Sequence, residues 1–261
     1  MEKSMERSAE LEAVTHVLWT GGWDSTFRVL QLCLSQNRSV QPHYLIDPER
    51  LSVSYELRAM ARVRHQLTPR LASGVALRPT RYVDLPSIPE SETTTAAFGR
   101  LKQQGKLGGQ YEWIARYAEA NHLTGLELSV HVDDRAFVYI KDQIEPYDDH
   151  GFPNNRLSSA TGEQDSDLAR VFGRLSFPLL HISKTEMEAE ASKLDAQDLM
   201  AHTWFCHRPR NGRPCGICLP CSFALEEGMG HRLPIAARIR CRLNTSPPGR
   251  YLRRTARRWL R

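Results

Sequence analysis

Four cysteines, Cys206, Cys215, Cys218 and Cys221, fall close together near the end of the sequence. Two Cys-x-x-Cys spacings share Cys218, and Gly216 allows the tight backbone that turns thiolates toward one point. Four thiolates close a tetrahedral Zn²⁺ site and leave no position for substrate, so the metal would be structural. An iron–sulfur cluster draws on the same donors and stays open as a second occupant. His207 sits beside a ligand without being read as one, and His202 and His231 read as surface or core histidines. In a chain whose other two cysteines are isolated, such clustering argues for metal rather than disulfides.

A second constellation lies near the start. The run Val14-Thr-His-Val-Leu-Trp19 reads as a short strand, Thr20-Gly21-Gly22-Trp23-Asp24-Ser25 as a turn, and a helical pattern opens at Thr26. Strand, glycine-rich turn and helix together can hold a phosphate. The glycines let backbone N–H groups approach anionic oxygens, Ser25 and Thr26 offer hydroxyls, and a helix N-terminus adds partial positive charge. No lysine follows the glycines, which excludes the nucleotide loop ending in Gly-Lys-Ser/Thr. Trp19, Thr20, Gly21, Gly22, Trp23, Asp24, Ser25 and Thr26 are the candidate nucleotide contacts, with Asp24 and Ser25 nearest the chemistry.

The elements that must position these residues follow an α/β pattern. Pro42–Ile46 reads as a second strand ending in Asp47-Pro48, where Asp47 either approaches a nucleotide or makes an ordinary turn. A helix over 54–68, a third strand within 75–83, a helix over 110–121 and a fourth strand over 123–130 continue the alternation of strands and helices. Residues 86–109 read as a long polar connection, either an active-site lid or a surface loop with a short helix at 96–104. Gly108-Gly109 before the following helix is a second possible anion pocket. Asp133-Asp134 reads either as a Mg²⁺ site or as a solvated turn. Residues 144–167 are turn-rich and read as a flexible, substrate-facing excursion. Ser183 and Glu186 form a capping box that opens a helix running to about Leu194. The expected organisation is a nucleotide-binding α/β domain over 1–200, a cysteine segment over 201–232 and a basic tail over 233–261.

Charge is unevenly spread. The net charge is +5, but residues 238–261 hold nine arginines and no acid, so residues 1–237 carry a net −4. Any polyanion binding inferred from the high isoelectric point therefore rests on that tail. A helix over 250–261 would gather Leu252, Ala256, Trp259 and Leu260 on one face for docking on the body, a second subunit, nucleic acid or an acidic protein. The N-terminus is charged and no apolar run approaches a membrane span, so the expectation is a soluble, cytoplasmic protein with no membrane partner.

The loop resembles Ser-Gly-Gly-x-Asp-Ser, the pyrophosphate loop of ATP pyrophosphatases, with Thr20 in place of the first serine. Joined to the Cys-x8-Cys-x2-Cys-x2-Cys site, it is similar to the 7-cyano-7-deazaguanine synthases over about Val14 to His231, including Pro178-Leu179 followed by Lys184-x-Glu186. The resemblance implies a parallel sheet of about five strands flanked by helices, the adenine-nucleotide α-hydrolase-like fold, and the cofactors ATP, Mg²⁺ and Zn²⁺. It implies adenylation of 7-carboxy-7-deazaguanine, amide formation with ammonia, and a second adenylation that yields the nitrile. Lys184 is then either a phosphate contact or a helix-surface lysine. Two segments depart from the family: Lys106-Leu107-Gly108-Gly109-Gln110 replaces Phe-Val-Pro-Gly-Arg-Asn, and the stretch after Asp134 diverges from Gly-Tyr-Pro-Asp-Cys. This points to a divergent ligase that either stops at the amide or joins the acyl group to a different amine, even a protein amine; a homodimer is expected. Synthase-like proteins also occur in bacterial antiviral defence gene clusters. The rival readings are an ATP-using tRNA-modifying or nucleic-acid-binding protein, and a zinc interaction module with an inactive loop.

Overall fold

A computed structural model describes residues 14–132, 134, 136–158 and 166–245. The N-terminal arm, Asp133 and the tail helix expected over 250–261 lie outside the described residues.

Strand β1 (Thr15–Leu18) feeds the glycine turn and then helix α1 (Trp23–Leu30), which starts three residues before Thr26 and ends in a π-helical turn over Gln31–Ser35. Strand β2 (Val40–Ile46) is followed by α2 (Val53–Leu67) and β3 (Arg81–Asp84), and β4 is only Leu126–Glu127. Strand β7 (Leu175–Ser176) completes five parallel strands in the order β3-β2-β1-β4-β7.

The sheet has seven strands, not five. An antiparallel hairpin, β5 (Ile144–Asp149) and β6 (Phe152–Leu157), extends it beyond β7. Over 144–157 this hairpin replaces the expected flexible excursion, while residues 159–165 lie outside the described residues. Its connection is His150-Gly151, both at positive φ (54° and 86°), the mirror-image turn whose twist matches paired strands.

The connection over 86–109 is helical through much of its length, and the helix is longer than the one expected at 96–104. Helix α3 (Glu92–Gln104) fills it, capped by the Ser91 hydroxyl accepting from the Thr94 N–H, with Ala97, Phe98 and Leu101 buried. Helix α4 (Gln110–Ala120) follows, burying Tyr111, Ile114, Tyr117 and Ala118. Short α5 (Phe137–Ile140) and α6 (Asp167–Phe172) precede α7 (Lys184–Lys193), where the capping box forms in full. Helix α8 (Gln197–Ala201) leads to the cysteine segment, then α9 (Leu219–Glu226) and α10 (Ile235–Thr245).

Apolar layers cover both faces of the sheet. Successive β1 residues point opposite ways, so Val17 joins the layer of Trp19, Phe27 and Leu30, while Leu18 joins that of Tyr111, Ile114 and Phe177. Cys33 lies in the first layer, and burial pushes its thiol up to about 12, as suits an inert core cysteine.

One charged pair braces the interior. Arg28 of α1 donates to both Glu127 oxygens of β4 at 2.7 and 2.6 Å, and Asn154 of β6 donates to the same carboxylate at 3.1 Å. Both charges are almost fully buried. The pairing locks the first helix, the central sheet and the hairpin into one register.

Candidate functional site: a crevice above the sheet and a four-thiolate centre

Strand order reverses between β1 and β4, since the chain goes outward through β2 and β3 and returns to the other side of β1. Ligands collect at such a switch point, beyond the carboxyl ends of the strands. The structure opens a 710 Å³ cavity there, of a size that small-molecule sites commonly have. Thr20, Gly22, Asp24 and Ser25 line it from the turn after β1, Ser129, Val130 and His131 from the segment after β4, and Lys184 from α7.

The loop is built to leave its N–H groups available. Gly21 has φ +68°, and a Cβ there would meet the Glu56 carbonyl oxygen at 2.8 Å and Met60 at 3.0 Å, so no other residue fits without movement. Gly22 stands at the N-cap of α1, and no side chain caps the helix. The first intrahelical bond is from the Thr26 N–H to the Gly22 carbonyl at 3.0 Å, so the helix begins with donors directed at the crevice. The Thr20 and Ser25 hydroxyls stand 3.3 Å apart, and the Ser25 hydroxyl also accepts from the Thr20 N–H.

Asp24 and Lys184 meet across the cavity, with Nζ 3.7 Å from Asp24 Oδ1 and 2.7 Å from Glu227 Oε2. Burial opposes the lysine charge, but Asp24, Glu227 and Asp134 outweigh it and hold the ammonium above its ordinary pKa. Asp24 Oδ2 lies 3.8 Å from His131 Nε2. The Trp23 indole Nε1 is buried with no hydrogen-bond partner in the protein, and Asp24 Oδ1 accepts no hydrogen bond, its Lys184 neighbour standing 3.7 Å away.

The other loop residues divide into linings and supports. Trp19 and Thr26 are fully buried, and the Trp19 indole donates to the Thr26 hydroxyl at 3.0 Å. They hold the turn from behind. Trp23 lines a smaller 190 Å³ annex beside Asp24 and Lys184. Asp47 stands outside the main cavity, where its carboxylate accepts from the Glu49 N–H at 3.0 Å as ordinary turn chemistry. Asp134 likewise accepts from the Ala136 N–H at 2.8 Å and from the Tyr111 hydroxyl at 3.1 Å.

Sequence reasoning missed Glu227, His131 and Arg232. Arg232 lies 4.9 Å over the Trp23 ring and 5.1 Å over Phe205, donates to the Thr203 carbonyl and hydroxyl, and lines the annex. Burial lowers its pKa to about 10, so it stays charged at neutral pH. No local motif marks any of the three, because the fold alone brings them to the loop.

The four cysteines converge. Their sulfurs all lie within 4.8 Å of one another, with Cys215–Cys221 and Cys218–Cys206 each at 3.9 Å and Cys218–Cys221 at 3.4 Å. A tetrahedral zinc with Zn–S bonds near 2.3 Å requires sulfur separations of roughly 3.8 Å. Backbone N–H groups of Cys215, Ile217 and Cys218 point at sulfurs at 3.2 to 3.4 Å, as suits thiolates. Gly216 has φ +72°, and a Cβ there would strike the Ala237 carbonyl. Geometry and donor chemistry fit a closed metal site. No histidine joins it, and among the described residues no other group of three or more His, Cys, Asp or Glu converges in this way.

The chain is thus an α/β protein with a switch-point crevice and a four-cysteine centre beside it. No protein-family model matches the sequence, and no curated protein matches it. None of the described helices is long and apolar enough to cross a membrane.

Proposed function

We propose that the protein is an ATP-dependent carbon–nitrogen ligase that activates a carboxylate as its acyl-adenylate. The observation that carries this reading is the uncapped, glycine-opened start of α1, whose first-turn Asp24 meets Lys184 of α7 at the same cavity. The loop N–H groups and the Ser25 hydroxyl would bind the β- and γ-phosphates, and Lys184 would neutralise charge on the departing pyrophosphate. Asp24, whose Oδ1 has no hydrogen bond in the protein and only the Lys184 ammonium nearby, would hold Mg²⁺, which commonly takes one or two carboxylates plus phosphate oxygens and would screen charge between two anions. A substrate carboxylate oxygen attacks the α-phosphorus, and the bond to the bridging oxygen breaks with release of pyrophosphate. An amine then attacks the acyl carbon and AMP leaves with the carboxylate oxygen.

On the resemblance to deazaguanine synthases, the acid is 7-carboxy-7-deazaguanine and the first product its amide, with the nitrile formed if a second adenylation removes water. Ammonia or a larger amine is the acceptor. The four cysteines would hold zinc in a structural role. Incubation with ATP, Mg²⁺, ammonium and this acid should release AMP and pyrophosphate in equal amounts. Absence of AMP with this acid, while ATP binds, would reject the substrate; absence of ATP binding would reject the ligase.

A further inference from the structure

The cysteine segment contains a feature that a structural metal site alone does not require. Between Cys206 and Cys215 the chain turns as a miniature hairpin: the Arg210 N–H donates to the Arg213 carbonyl at 2.9 Å, and the Arg213 N–H returns the bond at 3.0 Å. Asn211 and Gly212 occupy its tip with φ of 48° and 74°, the two-residue turn that sets a hairpin without strain. Both ends of this hairpin are tied to thiolates. It exposes Arg208, Arg210 and Arg213, none paired with a carboxylate among the described residues. No acid occurs from Leu199 to Leu225. In a body that is otherwise net acidic, three arginines on a preorganised turn are a concentrated positive feature.

The hairpin also leads somewhere. Arg208 and His207 line a 590 Å³ surface depression with Arg50, Gln110 and the half-buried Trp113. Arg50 Nη2 and His207 Nε2 are 2.7 Å apart, and Arg50, Gln110, Trp113 and His207 also line the main cavity. Asp47 and Glu49 stand on one wall, with the Asp47 carboxylate engaged in its turn. Basic side chains and one aromatic therefore run from the hairpin to the cavity mouth, the combination that tracks a phosphodiester backbone and stacks a base.

We propose that the cysteine-anchored hairpin Arg208–Arg213 binds the phosphate backbone of a single-stranded nucleic acid and directs it toward the cavity. The test is fluorescence anisotropy of a 5′-labelled 15-nucleotide oligouridylate, titrated with the full, metal-loaded chain at several salt concentrations and without ATP, so that its outcome is separate from the ligase reading. The triple variant R208Q/R210Q/R213Q should bind at least about tenfold more weakly, and its slope of log affinity on log salt should flatten by about 2, since each lost contact on a single strand removes about 0.7. The triple lysine variant should keep the slope. The arginines of residues 246–261 remain in every protein compared, so the difference isolates the hairpin. An unchanged slope in the glutamine variant, with equal metal content, would overturn the proposal. So would a preference for a duplex of the same length, or displacement of the oligonucleotide by polyglutamate at equal charge, which would mark an acidic protein as the partner. Should the triple variant lose metal, the single R210E change at the exposed Arg210 beside the tip tests the same surface, with the slope expected to flatten by at least about 0.7.

Discussion

The backbone N–H of Trp204 donates to the carbonyl of Gly21 at 2.8 Å. This one bond joins the segment that opens the cysteine centre to the loop that opens the crevice. Trp204 is held in turn by its indole donating to the Cys206 carbonyl at 2.8 Å and by stacking on Tyr55 of α2. The cysteine cluster and the glycine turn are therefore connected through Trp204 and Gly21. Removing the metal with a chelator, or making Cys218→Ser, should weaken ATP binding by about tenfold or more as well as lower the melting temperature, because structural metal binding supplies folding free energy. Isothermal titration with a non-hydrolysable ATP analogue measures the first effect. Unchanged nucleotide affinity in a metal-free, folded protein would show that the connection carries nothing.

The two loop glycines should respond differently. Gly21→Ala forces a side chain into a positive-φ position against the Glu56 carbonyl, and should cost about 1–3 kcal/mol of stability. Gly22→Ala keeps an ordinary φ of −75° and crowds only the Thr20 hydroxyl, at 3.2 Å. It should fold nearly as the parent and instead reduce phosphate affinity. Urea unfolding of the two variants, paired with nucleotide titration, separates the effects.

Lys184→Met should reduce AMP release by about a hundredfold or more if the ammonium stabilises the leaving pyrophosphate. Its pKa is raised in the fold, so it remains charged through neutral pH, and its stabilising contribution is lost only above the ordinary lysine range. Rate loss in the variant should therefore be the same at pH 6 and pH 8. A loss that appears at only one of these would point to another titrating group.

His43 gives the fold a dependence on mild acid. Its Nδ1 lies 2.6 Å from the Tyr117 hydroxyl and its Nε2 2.8 Å from His16 Nδ1. Burial, then His16 and Arg81, lower its pKa to about 3. Between an unfolded value near 6.5 and that folded value only the unfolded chain binds the proton, so stability falls as pH drops, by at most about 1.4 kcal/mol per pH unit for this group. Melting curves at pH 7 and pH 4.5 should differ more for the parent than for His43→Gln.

Glu127→Gln should be among the most damaging conservative changes. It leaves the buried Arg28 guanidinium without a counter-charge, which costs about 3–5 kcal/mol. Neither Glu127 nor Arg28 is among the four thiolate donors, so metal content per folded molecule should not change.

The sequence made some of this legible and hid the rest for identifiable reasons. The turn Thr20–Ser25 and the four cysteines are local patterns, and each reads directly into its geometry. The box of Ser183 and Glu186 is equally local and forms as expected. Strand β4 is reduced to Leu126–Glu127 because pairing with β1 and β7, not the length of the apolar run, sets its extent. The hairpin Ile144–Leu157 was obscured by Pro146 and Pro153, which usually break strands, although His150-Gly151 carried the turn signal. The polar stretch over 92–104 folds as a helix because Ala97, Phe98 and Leu101 recur on one face, a spacing masked by the threonines before it. Glu227, His131 and Arg232 reach the crevice from separate segments, and only tertiary folding could reveal them.

That outer hairpin also decides how the sheet can grow. At one margin β5 presents Pro146, which has no N–H to offer, together with Glu145, Asp148 and Asp149. At the other, β3 is four residues long and begins and ends in charge, Arg81 and Asp84. Short, charged or proline-bearing margins resist strand addition. A second copy of the chain would therefore have to associate through its helices, and fibre-like stacking of sheets edge to edge is designed out of both sides.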